Sequence, residues 1–352
     1  MNTAADAYCA AMLKHYENFT VASRLAPRAL RRDLARVYAF ARTTDDLGDE
    51  SGDPAVATHR LIAWRAEVTA LFAGEVALHP VLAALRDTIE RHALPSQPFM
   101  DLIDANLQDQ RVATYEDWPA LLGYCRLSAA PVGRLVLHLF GVTDPRSFPL
   151  SDDVCIGLQL ANFAQDVSVD ARRGRTYLMQ CDLRELGEAG AVRAMCVRAR
   201  TLLASGRELE ATLSGRLRLQ LALYRLGGEA ILDAVARTHY ATAYTRPTVG
   251  RVSRARVALQ ALLKVAGVKP GPVTAGTPPR PRFGLPTASA PSSPRSRGAP
   301  PTARPGLPPA APPGFTQQDS IAVGDPELRG VPAVTGPRFT PQPSSIAANS
   351  DG

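Results

Sequence analysis

Four aspartates carry the spacing that promises chemistry. Asp45 and Asp49 stand four residues apart, and so do Asp166 and Asp170. Polar groups precede each pair at helical spacing: Tyr38 and Arg42 before the first, Gln159 and Asn162 before the second. Offsets of three and four place each set along one face of a helix. The second set is drawn from an otherwise apolar run that includes Val154, Ile156, Leu160 and Phe163, and a helix apolar on several sides is usually buried. Buried carboxylates need partners. Four of them facing one cavity would repel and raise one another's pKa. Mg²⁺ removes that conflict, because it takes one or two carboxylates and completes its octahedron with water and phosphate oxygens. Such a site neutralises a diphosphate leaving group and lets a C–O bond ionise. Arg42, Gln159 and Asn162 would add hydrogen bonds to phosphate oxygens. One acidic i,i+4 pair is common on a solvated helix face; two, each on a polar stripe, favour the site. Asp46 adjoins the first pair and reads as solvent-facing.

The elements that must position these residues read as helices. The first 268 residues are rich in Ala, Leu and Arg, which are good helix formers, and lack hairpin dipeptides between alternating runs. Helical patterns fit 4–18, 28–47, 55–73, 78–92, 96–109, 117–140, 151–170, 188–214, 216–225, 228–245 and 252–267. Breaks fall at Gly52-Asp53-Pro54, Gly74, Leu94-Pro95, Gly141 to Pro149 and Gly174, and Ser151-Asp152 reads as the N-cap of the helix carrying the second pair. One all-α domain over 1–268 follows. Twenty of the 30 prolines lie between Pro270 and Pro343. Residues 269–352 therefore read as a disordered Pro/Ala/Arg-rich tail, too poor in apolar content to offset the entropy of ordering.

Composition excludes several function classes. The net charge is +7, but the tail supplies +4 (eight Lys/Arg against four Asp/Glu), leaving about +3 for the preceding residues. No nucleic-acid motif accompanies it. Five cysteines occur singly, without CxxC spacing, which points to reduced thiols rather than zinc or a redox dithiol. Neither a signal peptide nor an apolar run of about 18 residues is evident, so a cytoplasmic protein is expected, peripheral to a membrane at most.

The same residues resemble the squalene/phytoene synthase family of head-to-head prenyl synthases. The motifs are Tyr-Ala-Phe-Ala-Arg-Thr-Thr-Asp-Asp-Leu-Gly-Asp at 38–49 and Gln-Leu-Ala-Asn-Phe-Ala-Gln-Asp-Val-Ser-Val-Asp at 159–170, followed by Gly174-Arg175-Thr176-Tyr177-Leu178. Between them lies Tyr124-Cys125-Arg126-Leu127-Ser128-Ala129-Ala130-Pro131-Val132-Gly133, and His15-Tyr16-Glu17-Asn18-Phe19 is similar to the family's first-helix flap. The resemblance spans residues 10–265. It implies an isoprenoid-synthase fold with a central cavity, and Mg²⁺ on Asp45, Asp49, Asp166 and Asp170. It also implies diphosphate contacts from Tyr38, Arg42, Gln159 and Asn162, an entrance lined by His15, Asn18 and Phe19, and Tyr124 beside the carbocation, with Asp45 and Asp166 central to catalysis. Arg246-Pro247 would close the cavity floor.

One departure points to a branch. Where the family usually carries Arg in its second motif, this chain has Gln165, which the resemblance places among the substrate-binding residues but without that fixed cation near the diphosphate. The Asn-Phe-x-Gln-Asp version resembles the bacterial hopanoid-pathway branch, a hydroxysqualene synthase. That implies a carbon–oxygen lyase acting on presqualene diphosphate, coupled to a sister enzyme that makes it from farnesyl diphosphate. No dinucleotide fingerprint follows a strand, which is compatible with quenching by water rather than hydride. Two rivals remain at this stage: a condensing prenyltransferase, and a non-catalytic helical scaffold binding partners through its tail. The basic amphipathic segment 251–267 reads as a helix packed on the bundle or touching an anionic membrane.

Overall fold

The computed structural model describes Asp6, Cys9 and residues 26–267. Apart from Asp6 and Cys9, the helix expected over 4–18 lies outside the described residues, as do the tail expected over 269–352 and His15, Asn18 and Phe19. The described helices all belong to the first of two units, Met1–Thr277; the second, Pro278–Gly352, is outside them.

Ten helices follow one another among the described residues: α1 Arg28–Asp49, α2 Pro54–Phe72, α3 Pro80–His92, α4 Gln97–Asp109, α5 Trp118–Ser128, α6 Ala130–Leu139, α7 Ser147–Arg172, α8 Gln180–Thr212, α9 Gly215–Arg237 and α10 Arg251–Gly267. Starts are set by local chemistry. Asp53 accepts from the Ala55 amide at 2.8 Å ahead of Pro54, and Asp117 accepts from the Ala120 amide at 3.0 Å ahead of Trp118-Pro119.

The fold is all-α as expected, with four local corrections. The helix expected over 117–140 is two helices, broken at Ala129 (φ −113°) just before Ala130-Pro131, where proline cannot continue the hydrogen-bond ladder. Trp118–Leu139 is apolar enough by composition to cross a membrane, yet it is divided at this break and half of it is buried inside the protein. The α7 helix begins at Ser147, so Ser151 is no cap. It lies buried against α6, where a Cβ on Gly133 would meet its Oγ at 2.5 Å. The α8 helix begins at Gln180 rather than 188, with a kink at Gly187. The break expected at 226–227 is absent, and the helix expected to reach 245 ends at Arg237. Gly228 is a close-packing point there: a Cβ would meet Leu158 at 2.8 Å and Leu203 at 3.0 Å.

Packing divides into two apolar cores. One gathers Phe40, Trp64, Leu82, Phe99 and Leu135; the other gathers Leu121, Tyr124, Leu160, Phe163, Met195 and Leu203. The α1 helix packs on α2, α3, α4 and α6, and α7 packs on α5, α6, α8 and α9, so the two aspartate-bearing helices are seated in different cores. The α4 and α6 helices tie the halves together. Ordered structure outside the helices includes one isolated parallel bridge, Thr114 to Thr176, in which the Thr176 amide donates to the Ala113 carbonyl at 2.8 Å. This bridge fixes the loop after α7 beside the end of α4.

Candidate active site

Asp45 and Asp49 occupy the last turn and a half of α1. Asp45 is exposed, and Asn106 on α4 donates to its Oδ1 at 3.2 Å. Gln110 donates to the Gly48 carbonyl at 3.3 Å, and a Cβ at Gly48 would meet Asn106 at 2.8 Å. The α1 and α4 helices therefore approach closely at the first pair, and only glycine fits between its members. Burial pushes the Asp45 carboxyl up to about 6, with Asp49 and Asp46 adding repulsion and with Asn106 and Arg42 pulling the other way. A carboxyl that is exposed and also crowded by protein lines a concavity rather than the outer surface. Asp46, expected to face solvent, pairs with Arg42 at 2.5 Å. Tyr38 is half-buried one turn earlier on α1.

The second pair sits where α7 departs from ideal geometry. Asp166 has φ −100° and ψ 15° inside the helix. Its carboxylate pairs with Arg246, through Nε on Oδ1 and Nη2 on Oδ2, the latter at 3.3 Å. The Asp170 carboxyl is pushed up to about 6 by burial and by Asp166, against the pull of Arg173, Arg175 and Arg246. Gln159 is half-buried and Asn162 exposed on the same helix. Gln165 departs from expectation: it is buried and donates to the Pro247 carbonyl at 2.7 Å, so its amide serves the backbone of the 238–250 segment rather than a substrate. The cation beside Asp166 comes from that segment instead, as Arg246.

Two arginines to which the sequence assigns no role, Arg173 and the motif residue Arg175, connect the pairs. Arg175 bonds Asp49 at 3.2 Å and Arg173 lies 3.9 Å from the same carboxylate. Both also act on the Asp170 carboxyl. Together with Gln110, Asp49 and Asp53 they line a cleft of ≈ 270 Å³. Their signal in the sequence was the Arg-Gly-Arg run just after the second pair, which Gly174 (φ 73°) turns back toward α1.

Behind Arg175 stands an aromatic wall with a fifth carboxylate, Asp109. The Phe163 and Tyr177 rings stack at 3.8 Å, and Tyr124 lies 5.7 Å from Tyr177 and 6.4 Å from Phe163. The Tyr124 hydroxyl donates to Asp109 Oδ2 at 2.8 Å. The other oxygen, Asp109 Oδ1, is buried with no hydrogen-bond partner among the described residues. Burial pushes the Asp109 carboxyl up to about 6, partly countered by the Tyr124 hydrogen bond and by Arg175. Burial and the Asp109 charge push the Tyr124 hydroxyl well up, which makes it a proton donor to Asp109 rather than a phenolate. Asp109 has no acidic residue at i±4, so the spacing argument that found the two pairs was blind to it. Its place at i+3 from Asn106 was the weak signal.

The donors suit a hard divalent cation. All four aspartates offer carboxylate oxygens, and Asp45 and Asp170 are pushed up by burial first and by the neighbouring aspartate second, both of which a bound cation offsets. No three His, Cys, Asp or Glu side chains converge among the described residues. Each pair would thus supply one or two oxygens and leave the rest of an octahedron to water and phosphate, which is how Mg²⁺ is commonly bound.

The squalene/phytoene synthase family model matches residues 12–257. Curated relatives include the chloroplastic phytoene synthase of Narcissus pseudonarcissus, 33% identical over 52% of this chain and 45% of its own length. The hydroxysqualene synthase of Zymomonas mobilis is 34% identical over 48% of this chain and 56% of its own, and that of Rhodopseudomonas palustris is 31% identical over 62% and 77%. The chain spans about half the length of the first curated relatives it matches, 45%, 63% and 42% for three phytoene synthases. Among solved structures, squalene synthase HpnC from Alicyclobacillus acidocaldarius is 43% identical with TM-score 0.64, over 67% of this chain and 95% of that one. A dehydrosqualene synthase in complex with ligand, 21% identical with TM-score 0.68, shares the fold over 76% of this chain and 98% of its own.

Proposed function

The chain belongs to the squalene/phytoene synthase family, and from that premise we propose that it is a hydroxysqualene synthase, converting presqualene diphosphate to hydroxysqualene and diphosphate with Mg²⁺. The observation that carries the choice of reaction is the similarity to hydroxysqualene synthases from two bacteria, at 34% and 31% identity. The 43% identity to squalene synthase HpnC across 95% of that chain supports the same branch of the family.

In this reading Asp45 and Asp49 hold one side of the leaving group's counter-charge, and Asp166 and Asp170 hold the other. Mg²⁺ bound there would supply Lewis-acid stabilisation of the departing diphosphate. Arg173 and Arg175, already between the pairs, donate to its oxygens, and Asn106 keeps Asp45 oriented. Tyr38, Gln159 and Asn162, with His15, Asn18 and Phe19, complete the substrate contacts. When the C–O bond breaks, the electron pair leaves with diphosphate and a carbocation remains. The faces of Tyr124, Phe163 and Tyr177 stabilise positive charge by their ring quadrupoles. After rearrangement, a water oxygen forms the new C–O bond and one proton must leave. The Tyr124–Asp109 pair takes it: Tyr124 accepts that proton as its own passes to Asp109.

A second reading, a condensing synthase that joins two prenyl diphosphates, is favoured by the phytoene synthases at 31–33% identity. Purified protein with Mg²⁺ and, separately, presqualene, farnesyl and geranylgeranyl diphosphate distinguishes the two by mass spectrometry. Hydroxysqualene from presqualene diphosphate alone is the expected result. Efficient condensation of either of the others, with presqualene diphosphate inert, would overturn it.

A further inference from the structure

The chain that returns after α9 is gripped twice, at consecutive residues on both sides. Gln165 on α7 donates from Nε2 to the Pro247 carbonyl at 2.7 Å, across 82 positions. Asp166, next on the helix, takes the guanidinium of Arg246, the residue before Pro247, across 80 positions. The segment reaches α7 because Thr238 ends α9 and His239 and Tyr240 adopt positive φ, 51° and 63°, which turns the chain back sharply.

The two grips differ in kind. The Gln165 bond is buried, neutral and indifferent to ions. The Arg246–Asp166 pair is open to solvent, with the arginine side chain 50% exposed and the aspartate 24% exposed. A pair this open is a weak tether that other charges compete with. Asp166 is also one of the carboxylates assigned above to a divalent cation, which would contest the same oxygens.

We propose that Gln165 is a positioning residue for Arg246. By holding Pro247 it keeps the guanidinium beside Asp166 whatever Asp166 is bound to. When Asp166 turns to a cation, the released guanidinium stays at the site and donates to the diphosphate. The inference rests on the diphosphate reading and names the part that Gln165 plays in it: it acts through Arg246 and does not touch substrate. The chemistry requires an amide of this length. Glutamate would set a carboxylate against the Pro247 carbonyl, and methionine would fill the space but leave that carbonyl without its donor.

A double-mutant cycle tests this, read as Mg²⁺-dependent binding of inorganic diphosphate by calorimetry and as KM and kcat on presqualene diphosphate. Gln165→Met should weaken diphosphate binding about tenfold and raise KM by a similar factor, with kcat changed less, as for loss of one charge-assisted contact. Arg246→Gln should weaken it at least as much. The double variant should bind no more weakly than Arg246→Gln, because residues acting through one contact are not additive. Gln165→Asn, one methylene short, gives the same reading if the methionine variant does not fold. Unchanged binding in Gln165→Met, or a double variant as weak as the product of the two single effects, would overturn the inference while leaving the functional reading intact. Failure of the unmodified protein to bind diphosphate with Mg²⁺ would overturn both.

Discussion

Arg225 and Asp33 are buried with their counter-charges already in place, whereas the aspartates of each pair stand beside one another. Arg225 is fully buried between Glu210 at 2.6 Å and Glu229 at 2.7 Å. Burial alone would push the Asp33 carboxyl up, but hydrogen bonds from His92, Thr88 and Arg91 outweigh it and hold it below the usual range. At the aspartate pairs the balance is reversed. Asp45 and Asp170 are each pushed up to about 6, with like charges adding to burial, although arginines stand nearby. Charge in the first setting serves the fold. Charge in the second is left short of partners, which is what a site built to receive a cation and an anion together looks like.

Removing one charge from each setting separates them most strongly. Asp170→Asn should lower kcat/KM by about 10³-fold, on the order of 4 kcal/mol of transition-state stabilisation, as expected where a metal-held charge is lost. Its thermal melting temperature should hold or rise, because a repelled carboxylate has gone. A variant that melts lower and keeps its activity would erase the contrast. Arg225→Ala should do the converse. It strands Glu210 and Glu229 and should destabilise the fold by about 3–5 kcal/mol, leaving Mg²⁺-dependent diphosphate affinity of the folded fraction unchanged. Chemical denaturation and calorimetry on the same preparation check both halves.

The pH dependence sharpens the comparison, since the two settings act in opposite windows. Asp45 and Asp170 are raised from 3.8 to about 6, so between those values the folded state holds protons that the unfolded chain has released. Their contribution to stability falls as pH rises through that window and stays unfavourable above it. Asp33 is lowered from 3.8, so its stabilisation is present above that value and is lost as pH falls through its folded pKa. Asp45→Asn should therefore raise the melting temperature at pH 7.5 and leave it nearly unchanged at pH 4. Asp33→Asn should lower it at pH 7.5, with the difference shrinking below pH 3. Both variants moving the same way at pH 7.5 would show that the paired carboxylates are not the strained ones.

Legibility in the sequence followed how local each feature is. The helices and the two i,i+4 pairs were readable because period and spacing are properties of a few consecutive residues. The gap at 226–227 between two expected helices closes in the fold, because what packs on a glycine decides whether it ends a helix, and Gly228 meets Leu158 and Leu203. Asp109 was missed because its value lies in Tyr124, across a helix boundary, and not in any neighbour of its own type. The resemblance places Gln165 at the substrate through its motif position, but one helical step of about 100° from Asp166 turns it to Pro247 instead.

The sequence by itself determined that two stripes of carboxylates exist and that helices carry them, since 3.6-residue periodicity needs no partner. Only the tertiary structure decided which cations answer them. Arg175 meets Asp49 across 126 positions and Arg246 meets Asp166 across 80. No spacing rule reaches so far. Those contacts exist because a parallel bridge holds the 173–177 loop to the end of α4, and because two positive-φ residues after α9 turn the chain back onto α7.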